Sequence, residues 1–249
     1  MTFTGAKVIV TGGASGIGRA TARWFADRGA TVAVLDRDDA RIDSISNFVV
    51  DVTDDEAVRK VVAAAITHLE GLDTLVNNAG IGAQGTVEDN DDEEWLRVLD
   101  INLLGLVRVT RACLPALRRS TNASIVNTSS VAATVGLPER ALYSASKGAV
   151  ASLTLAMAAD YLSEGIRVNC VSPGTTDTPW IGRLLERSAD PQAERAALSA
   201  RQPHGRLVTG EEIAAAIGYL AGSDSGSTTG TTLVVDGGLT TLRTRPTPQ

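Results

Sequence analysis

Tyr143 and Lys147 stand four residues apart in the run Tyr143-Ser144-Ala145-Ser146-Lys147, at the start of an apolar, helix-like stretch. Residues at that separation project from one helix face. An ammonium beside a phenol favours the phenolate. The tyrosine is thereby suited to take a proton from an alcohol or return one to a carbonyl oxygen. Ser130 lies thirteen residues earlier, just past the apolar run Ser124–Asn127. Parallel sheets bind ligands at the carboxyl ends of their strands. If that run is such a strand, the Ser130 hydroxyl is placed to hydrogen-bond the oxygen that Tyr143 protonates.

A second constellation sits near the N-terminus. Thr11-Gly12-Gly13-Ala14-Ser15-Gly16-Ile17-Gly18 follows the short run Lys7–Val10 and precedes a helical pattern over Ile17–Arg28. Glycines let a backbone approach a pyrophosphate closely, and a helix N-terminus offers it free N–H groups. The spacing G-x-x-x-G-x-G differs from the G-x-G-x-x-G fingerprint, so the signal rests on its place in the first strand–helix turn. Asp36 ends the second apolar run, twenty residues after Gly16. An acidic residue at about that distance meets a ribose 2′-hydroxyl and repels a 2′-phosphate, which favours NAD over NADP. Arg37 follows and is able to accommodate a phosphate, whereas Ser15 adds no second cation to the loop.

The elements that must position these groups alternate along the chain. Strand-like runs at Lys7–Val10, Thr31–Leu35, Phe48–Val50, Thr74–Val76, Ser124–Asn127, Arg167–Val171 and Thr232–Val235 are separated by helical patterns. The runs are nearly continuous in apolar residues, as strands buried on both faces are. The expectation is one α/β domain over residues 1–249, doubly wound and Rossmann-type, with about seven parallel strands and helices on both faces. Asp92–Arg118 reads as one long helix and Ala141–Ser163 as another. The interval 179–206 reads as an inserted helical substrate lid, and 243–249 as a frayed tail.

Composition excludes several alternatives. The chain has 249 residues, 43% hydrophobic and 4% aromatic, with a formal net charge of -6. That hydrophobic share fills a core, so disorder is excluded. The acidic balance, without a basic run, disfavours a nucleic-acid partner. No apolar stretch is long enough for a membrane span. The N-terminus has no secretory signal pattern, so a cytoplasmic location is expected. Cys113 and Cys170 read as buried free thiols, and with His68 and His204 they show no metal spacing. No metal is expected.

Together, the glycine loop, Asn77-Asn78-Ala79-Gly80, Ile101-Asn102-Leu103, Ser130, Tyr143, Lys147 and Pro173-Gly174 resemble the short-chain dehydrogenase/reductase family, from Lys7 to Gly238. The resemblance implies hydride transfer with a nicotinamide cofactor and a role for each residue. Tyr143 would be the general acid/base, Ser130 would orient the substrate oxygen, and Lys147 would hold the ribose hydroxyls and assist Tyr143. Asn102 would hold a water that relays protons from Lys147. Gly12, Ser15, Gly16, Ile17 and Gly18 would cradle the pyrophosphate, with Asp36 and Arg37 at the adenosine ribose. Asn78, Ala79 and Gly80 would border that ribose, and Asp51 and Val52 the adenine. Thr176 and Thr178, after Pro173 and Gly174, would hold the carboxamide. The stretch from Asp36 to Asp51 is short for the family, so its helix is expected to shrink to a turn.

The substrate is less specified. Arg140 stands three residues before Tyr143 and is a candidate carboxylate clamp. Arg183, Arg187, Arg195, Arg201 and Arg206 populate the lid, with Arg187 and Arg195 read as solvated cations. Trp180 would line a sugar face or pack the lid. The run Asn169–Trp180, with Arg201-Gln202 and Gly205-Arg206, is similar to the branch of type-2 3-hydroxybutyrate dehydrogenase and 2-keto-3-deoxy-L-fuconate dehydrogenase. The expected substrate is a secondary alcohol in a small hydroxy acid or a sugar-derived molecule. The alternatives are an NADPH-dependent 3-oxoacyl-carrier-protein reductase and a non-catalytic dinucleotide-sensing regulatory protein. A homotetramer or homodimer is expected, paired through the two long helices and the face of Ala149, Ala156 and Ala159.

Overall fold

The computed structural model describes residues 1–186 and 188–243. Arg187 and residues 244–249 of the expected tail lie outside the described residues. Seven strands, β1 (Lys7–Thr11), β2 (Thr31–Asp36), β3 (Ser46–Val49), β4 (Thr74–Asn77), β5 (Ser124–Thr128), β6 (Arg167–Pro173) and β7 (Thr232–Val235), form one sheet in the order β3-β2-β1-β4-β5-β6-β7. Every pairing is parallel. The order reverses between β1 and β4. The crevice for a ligand therefore opens at the carboxyl ends of those two strands.

The apolar runs are continuous because successive residues serve two cores. Ile9, Leu35, Leu75, Ile125 and Val168 face one side. There they meet α2 (Asp55–Leu69), α4 (Gly105–Leu117) and α5 (Ala141–Tyr161). Val8, Val10, Val34, Val126 and Val171 face the other, against Phe25 of α1 (Gly16–Ala26) and Ile213, Ile217 and Leu220 of α8 (Gly210–Ala221). Both cysteines are buried free thiols, one in each of two separate elements, and burial pushes both thiol pKa values up.

Two departures from the sequence expectation, and one expectation met, are informative. The long helix expected over Asp92–Arg118 is divided. α3 (Asp92–Leu99) passes into a π-helical turn at Asp100–Leu104 before α4 begins. Such a wide turn inserts one extra residue and turns a side chain inward; here Asn102 is the buried one. Second, β3 starts earlier than expected and Val49 is exposed, as an edge strand allows. Third, residues 37–45 contain no helix, as the short Asp36–Asp51 stretch implies. Ala40 and Ile42 are buried in its place, and Arg19 of α1 donates to the Ala40 carbonyl at 3.4 Å.

Between β6 and α8 lie two further helices, α6 (Pro179–Glu186) and α7 (Pro191–Ala200). They share a small apolar cluster of Ile181, Leu185, Leu198 and Leu207. Both ends of α8 are fastened. At its start, the Thr209 hydroxyl accepts from Glu212 N while the Glu212 carboxylate accepts from Thr209 N, a capping box. Arg206 adds a bidentate pair to Glu212 at 2.7 and 2.8 Å. At its end, Arg167 donates to the carbonyls of Leu220 (2.6 Å), Ala221 (2.9 Å) and Gly222 (3.1 Å). That guanidinium meets the negative pole of the helix.

Two measurements check these anchors. Arg167→Ala should destabilise the fold by about 3 kcal/mol in chemical denaturation, because several half-buried carbonyls lose a charged donor. The Arg206 and Thr209 bonds hold the Glu212 carboxyl down at about 2, against an ordinary value of 4.5. A depressed carboxylate contributes stability above its unfolded value and loses it as pH falls towards the folded one. Melting temperature should therefore decline between pH 4.5 and 2, and Glu212→Gln should flatten part of that decline.

Candidate active site

The carboxyl ends of β1 and β4 are stitched together. Thr11 Oγ1 accepts from the backbone N–H groups of Asn78 and Ala79, each at 3.0 Å. Asn78 Nδ2 donates to the carbonyls of Thr11 at 3.2 Å and Gly12 at 3.1 Å. Glycine is required within this seam. A Cβ at Gly18 would lie 2.1 Å from the Gly12 carbonyl oxygen, and Gly12 itself has φ +67°. Ser15 precedes α1 in an extended conformation and makes no side-chain cap. The first N–H groups of α1 thus have no side-chain oxygen over them and suit a pyrophosphate. Ile17 packs inward from the first turn.

The next group sits at the carboxyl end of β2. Asp36 closes β2, and its carboxylate accepts from Ala14 N at 2.8 Å and Asp38 N at 3.0 Å. Arg37 is exposed, 4.0 Å from Asp38. Asp51 accepts from the backbone and hydroxyl of Thr53, and these bonds, with the charge of Arg37, lower its pKa. Val52 is buried, 2.7 Å from where a Cβ on Gly105 would be.

The catalytic candidates converge at the ends of β4 and β5. Tyr143 and Lys147 share a face of α5, with Nζ 5.9 Å from the tyrosine ring centroid. Lys147 is only 5% exposed and donates to the Thr128 carbonyl at 2.9 Å. Ser130 begins a short 3-10 turn, its Oγ accepting from Ala132 N at 3.2 Å. Asn102 accepts from Ile81 N at 2.7 Å and donates to Ile81 O at 2.9 Å and Ser146 Oγ at 3.1 Å. A Cβ at Gly80 would sit 3.0 Å from Asn102 Oδ1 and 3.4 Å from Lys147 Nζ. Gly80 therefore leaves open the space in front of both.

Past β6, which ends at Pro173, Gly174 packs so closely that a Cβ would lie 2.4 Å from Gln202 Oε1. Thr176 Oγ1 donates to the Gly174 carbonyl. Thr178 reaches the glycine loop, 3.3 Å from where a Gly16 Cβ would stand. The segment after β6 thus closes the crevice from the side opposite β4.

Arg140 immediately precedes α5. It donates to the Ala83 carbonyl at 2.9 Å and lies 5.6 Å from the Trp180 ring centroid. Burial and the nearby charge of Arg201 lower its pKa. It lines a cleft of about 580 Å³ with Thr86, Val87, Ala132, Thr134 and Leu137. Two lid arginines are committed elsewhere: Arg195 pairs with Asp177 at 2.6 Å, and Arg206 with Glu212. Arg195 is exposed, the solvated cation its sequence context suggests, and its surface pair also links α7 to the segment after β6.

Sequence reasoning places Thr11 in the glycine loop and Gly82 at the cofactor rim, but it misses the supporting contacts of four residues. Thr11 bridges the two strand ends. Ser146 links Asn102 to the Tyr143 carbonyl, donating at 2.8 Å. Ser129 donates to the Lys147 carbonyl at 2.8 Å. Gly82 receives the Trp180 ring. Only Ser129, beside Ser130 at a strand end, carries a usable sequence signal for its contact.

Known proteins resemble this chain in sequence and in fold. A family model described as enoyl-(acyl carrier protein) reductase matches residues 12–240. The chain is 38% identical to 2-keto-3-deoxy-L-fuconate dehydrogenase of Xanthomonas campestris, covering 94% of this chain and 80% of that protein. It is 37% identical to a 3-oxoacyl-acyl-carrier-protein reductase of Thermotoga maritima, covering 96% and 99%. The chain belongs to the short-chain dehydrogenase/reductase family. The ligand-free structure of Thermoplasma acidophilum aldohexose dehydrogenase superposes with a TM-score of 0.94 at 34% identity, covering 99% and 98% of the two chains. As a short-chain dehydrogenase/reductase the chain is an oxidoreductase acting on CH–OH groups with a nicotinamide cofactor, NAD or NADP. Among the described residues no helix is long and apolar enough to cross a membrane, and no cluster of metal-ligating side chains occurs.

Gly18→Ala tests the seam. The variant should weaken NADH binding more than about tenfold in a fluorescence titration while circular dichroism stays unchanged, since its methyl cannot fit against Gly12.

Proposed function

We propose that this short-chain dehydrogenase/reductase is an NAD-dependent dehydrogenase of a secondary alcohol in a small hydroxy acid or sugar-derived substrate. Asp36 supports NAD: a carboxylate hydrogen-bonded to the glycine loop would face a 2′-phosphate with like charge. The cofactor would lie along Gly12, Ser15, Gly16, Ile17 and Gly18, then Asp36 with Arg37, Asp51 and Val52, then Asn78, Ala79 and Gly80. Pro173, Gly174, Thr176 and Thr178 would border its far end. The bound nicotinamide supplies the hydride acceptor or donor.

The chain's own groups handle the proton. Tyr143 takes it from the alcohol at Oη in oxidation, or returns it to the carbonyl oxygen in reduction. Ser130 Oγ hydrogen-bonds that oxygen and fixes its angle. Lys147 keeps a positive charge behind Tyr143. The Asn102 side chain is committed to Ile81 and Ser146, so a relay water there would take its main-chain carbonyl.

One observation carries the substrate class. Among the described residues Arg140 forms no salt bridge, although it is half-buried, beside a second arginine and next to Tyr143. Arg167 is as buried but is met by several carbonyls, whereas Arg140 has one, so a ligand carboxylate would complete its shell. Trp180, over the same guanidinium, offers a flat apolar face to the substrate carbons. A carrier-protein reductase using NADPH is the rival, and Arg37 is the one residue that favours it. The exposed small face of α5 at Ala156 and Ala159, with Leu155 56% exposed, supports pairing into a homodimer or homotetramer.

Steady-state rates decide. NADH should exceed NADPH in kcat/KM, and a strong NADPH preference overturns the cofactor assignment. Tyr143→Phe should lower kcat by about a thousandfold. Arg140→Ala should raise KM for an active hydroxy acid at least about tenfold, and an unchanged KM removes the carboxylate clamp.

A further inference from the structure

Gly82 is a glycine for an unusual reason. Its φ does not lie in the left-handed region, so the backbone there accepts any side chain. What forbids one is the Trp180 ring. A Cβ would stand 2.8 Å from Cζ2, 3.1 Å from Cε2 and 3.3 Å from Nε1. Position 82 is thus a socket for an indole carried by the first turn of α6. Its neighbours fix the socket to the reaction centre. Ile81 and Ala83 pack in one cluster with Tyr143, Leu142 and Trp95. Ile81 is also pinned through its backbone by Asn102, and the Ala83 carbonyl holds Arg140. The indole therefore reaches from α6 to the segment that forms one wall of the Tyr143 site, and it covers the arginine that segment holds.

This arrangement sets a length. A substrate whose alcohol oxygen is at Tyr143 and whose carboxylate is at Arg140 ends beneath the indole. A chain that continued past the carboxylate carbon, as a thioester to a carrier arm does, would have to displace the ring from Gly82. We propose that Trp180, seated on Gly82, is a specificity-determining wall that admits a short free carboxylate and refuses the same acyl group extended as a thioester. The inference rests on the assignment of Arg140 as the carboxylate partner. It adds residue 82, which touches the ring rather than the substrate, as a positioning residue.

The test uses the full-length protein with NAD and two probes, 3-hydroxybutyrate and its N-acetylcysteamine thioester. Wild type should favour the free acid. Trp180→Ala should shift the acid-to-thioester ratio of kcat/KM at least about tenfold towards the thioester, in the range by which a pocket wall discriminates. Gly82→Ala keeps the indole but pushes it off its socket. It should move the ratio in the same direction and shift tryptophan emission to longer wavelength without cofactor present. Arg140→Ala separates the two ideas: it should raise KM for the acid without improving the thioester. If Arg140→Ala weakens the acid while both other variants, folded by circular dichroism, keep the wild-type ratio, the wall is overturned and the clamp stands. If Arg140→Ala leaves the acid unchanged but Trp180→Ala and Gly82→Ala both shift the ratio, the clamp fails and the wall stands. Wild type turning over the thioester as readily as the acid overturns the wall outright.

Discussion

The rest of the site is organised around one buried ammonium. Lys147 is 5% exposed, and a charge removed from water is costly unless polar groups surround it. One polar group meets that cost directly, and two further features fix where the ammonium sits. The carboxyl end of β5 supplies the Thr128 carbonyl. Ser129, the next residue, ties the Lys147 carbonyl to the same strand end. The β4 side leaves room because Gly80 has no side chain and Asn102 turns its amide towards Ile81. The ammonium can be held there only because β4 and β5 are adjacent parallel strands ending at the same level, with Asn77 opposite Asn127. The sheet order and the proton chemistry are two consequences of one arrangement.

Much of this was legible in the sequence, and the reason differs by residue. The parallel sheet followed from apolar runs without alternation, since each strand feeds two cores. Tyr143 and Lys147 followed from helical spacing, and the glycine loop from its place between a strand and a helix. These are local signals. The π turn at Asn102 was not legible, because Val98, Leu106 and Val109 continue a helical pattern and one inserted residue leaves no compositional mark. Nor was the edge character of β3: Phe48, Val49 and Val50 look like any buried run until the sheet order assigns them the rim. Gly82 and Trp180 meet across 98 residues of sequence, and nothing in either neighbourhood announces the other.

The segment between β6 and α8 shows how position alters the meaning of charge. Its arginines look equivalent in sequence, yet they divide by partner. Arg195 and Arg206 find carboxylates and act as fasteners, one to Asp177 after β6 and one to the start of α8. Such exposed pairs contribute little stability singly, but they set where α6 and α7 can rest. Arg140, outside the segment, is the one left half-desolvated with a carbonyl and an indole for company. A surface arginine relaxes into water. This one is held half-buried at the rim of a cleft, where a ligand would reach it.

The same logic joins the two ends of the crevice. Thr178 contacts the glycine loop at Gly16, and two residues later Trp180 contacts Gly82. The start of α6 therefore touches both the glycine loop and the segment beside Tyr143. Both contacts fall on glycines: a Cβ would clash with the indole at Gly82 and would crowd Thr178 at Gly16. An element that meets both pockets through such tight seams cannot shift against one without straining the other. Displacement of α6 by an oversized substrate would then loosen the cofactor seam as well. Under the proposed function, size selection at Trp180 and cofactor retention at Gly16 would for that reason be coupled through three residues of backbone.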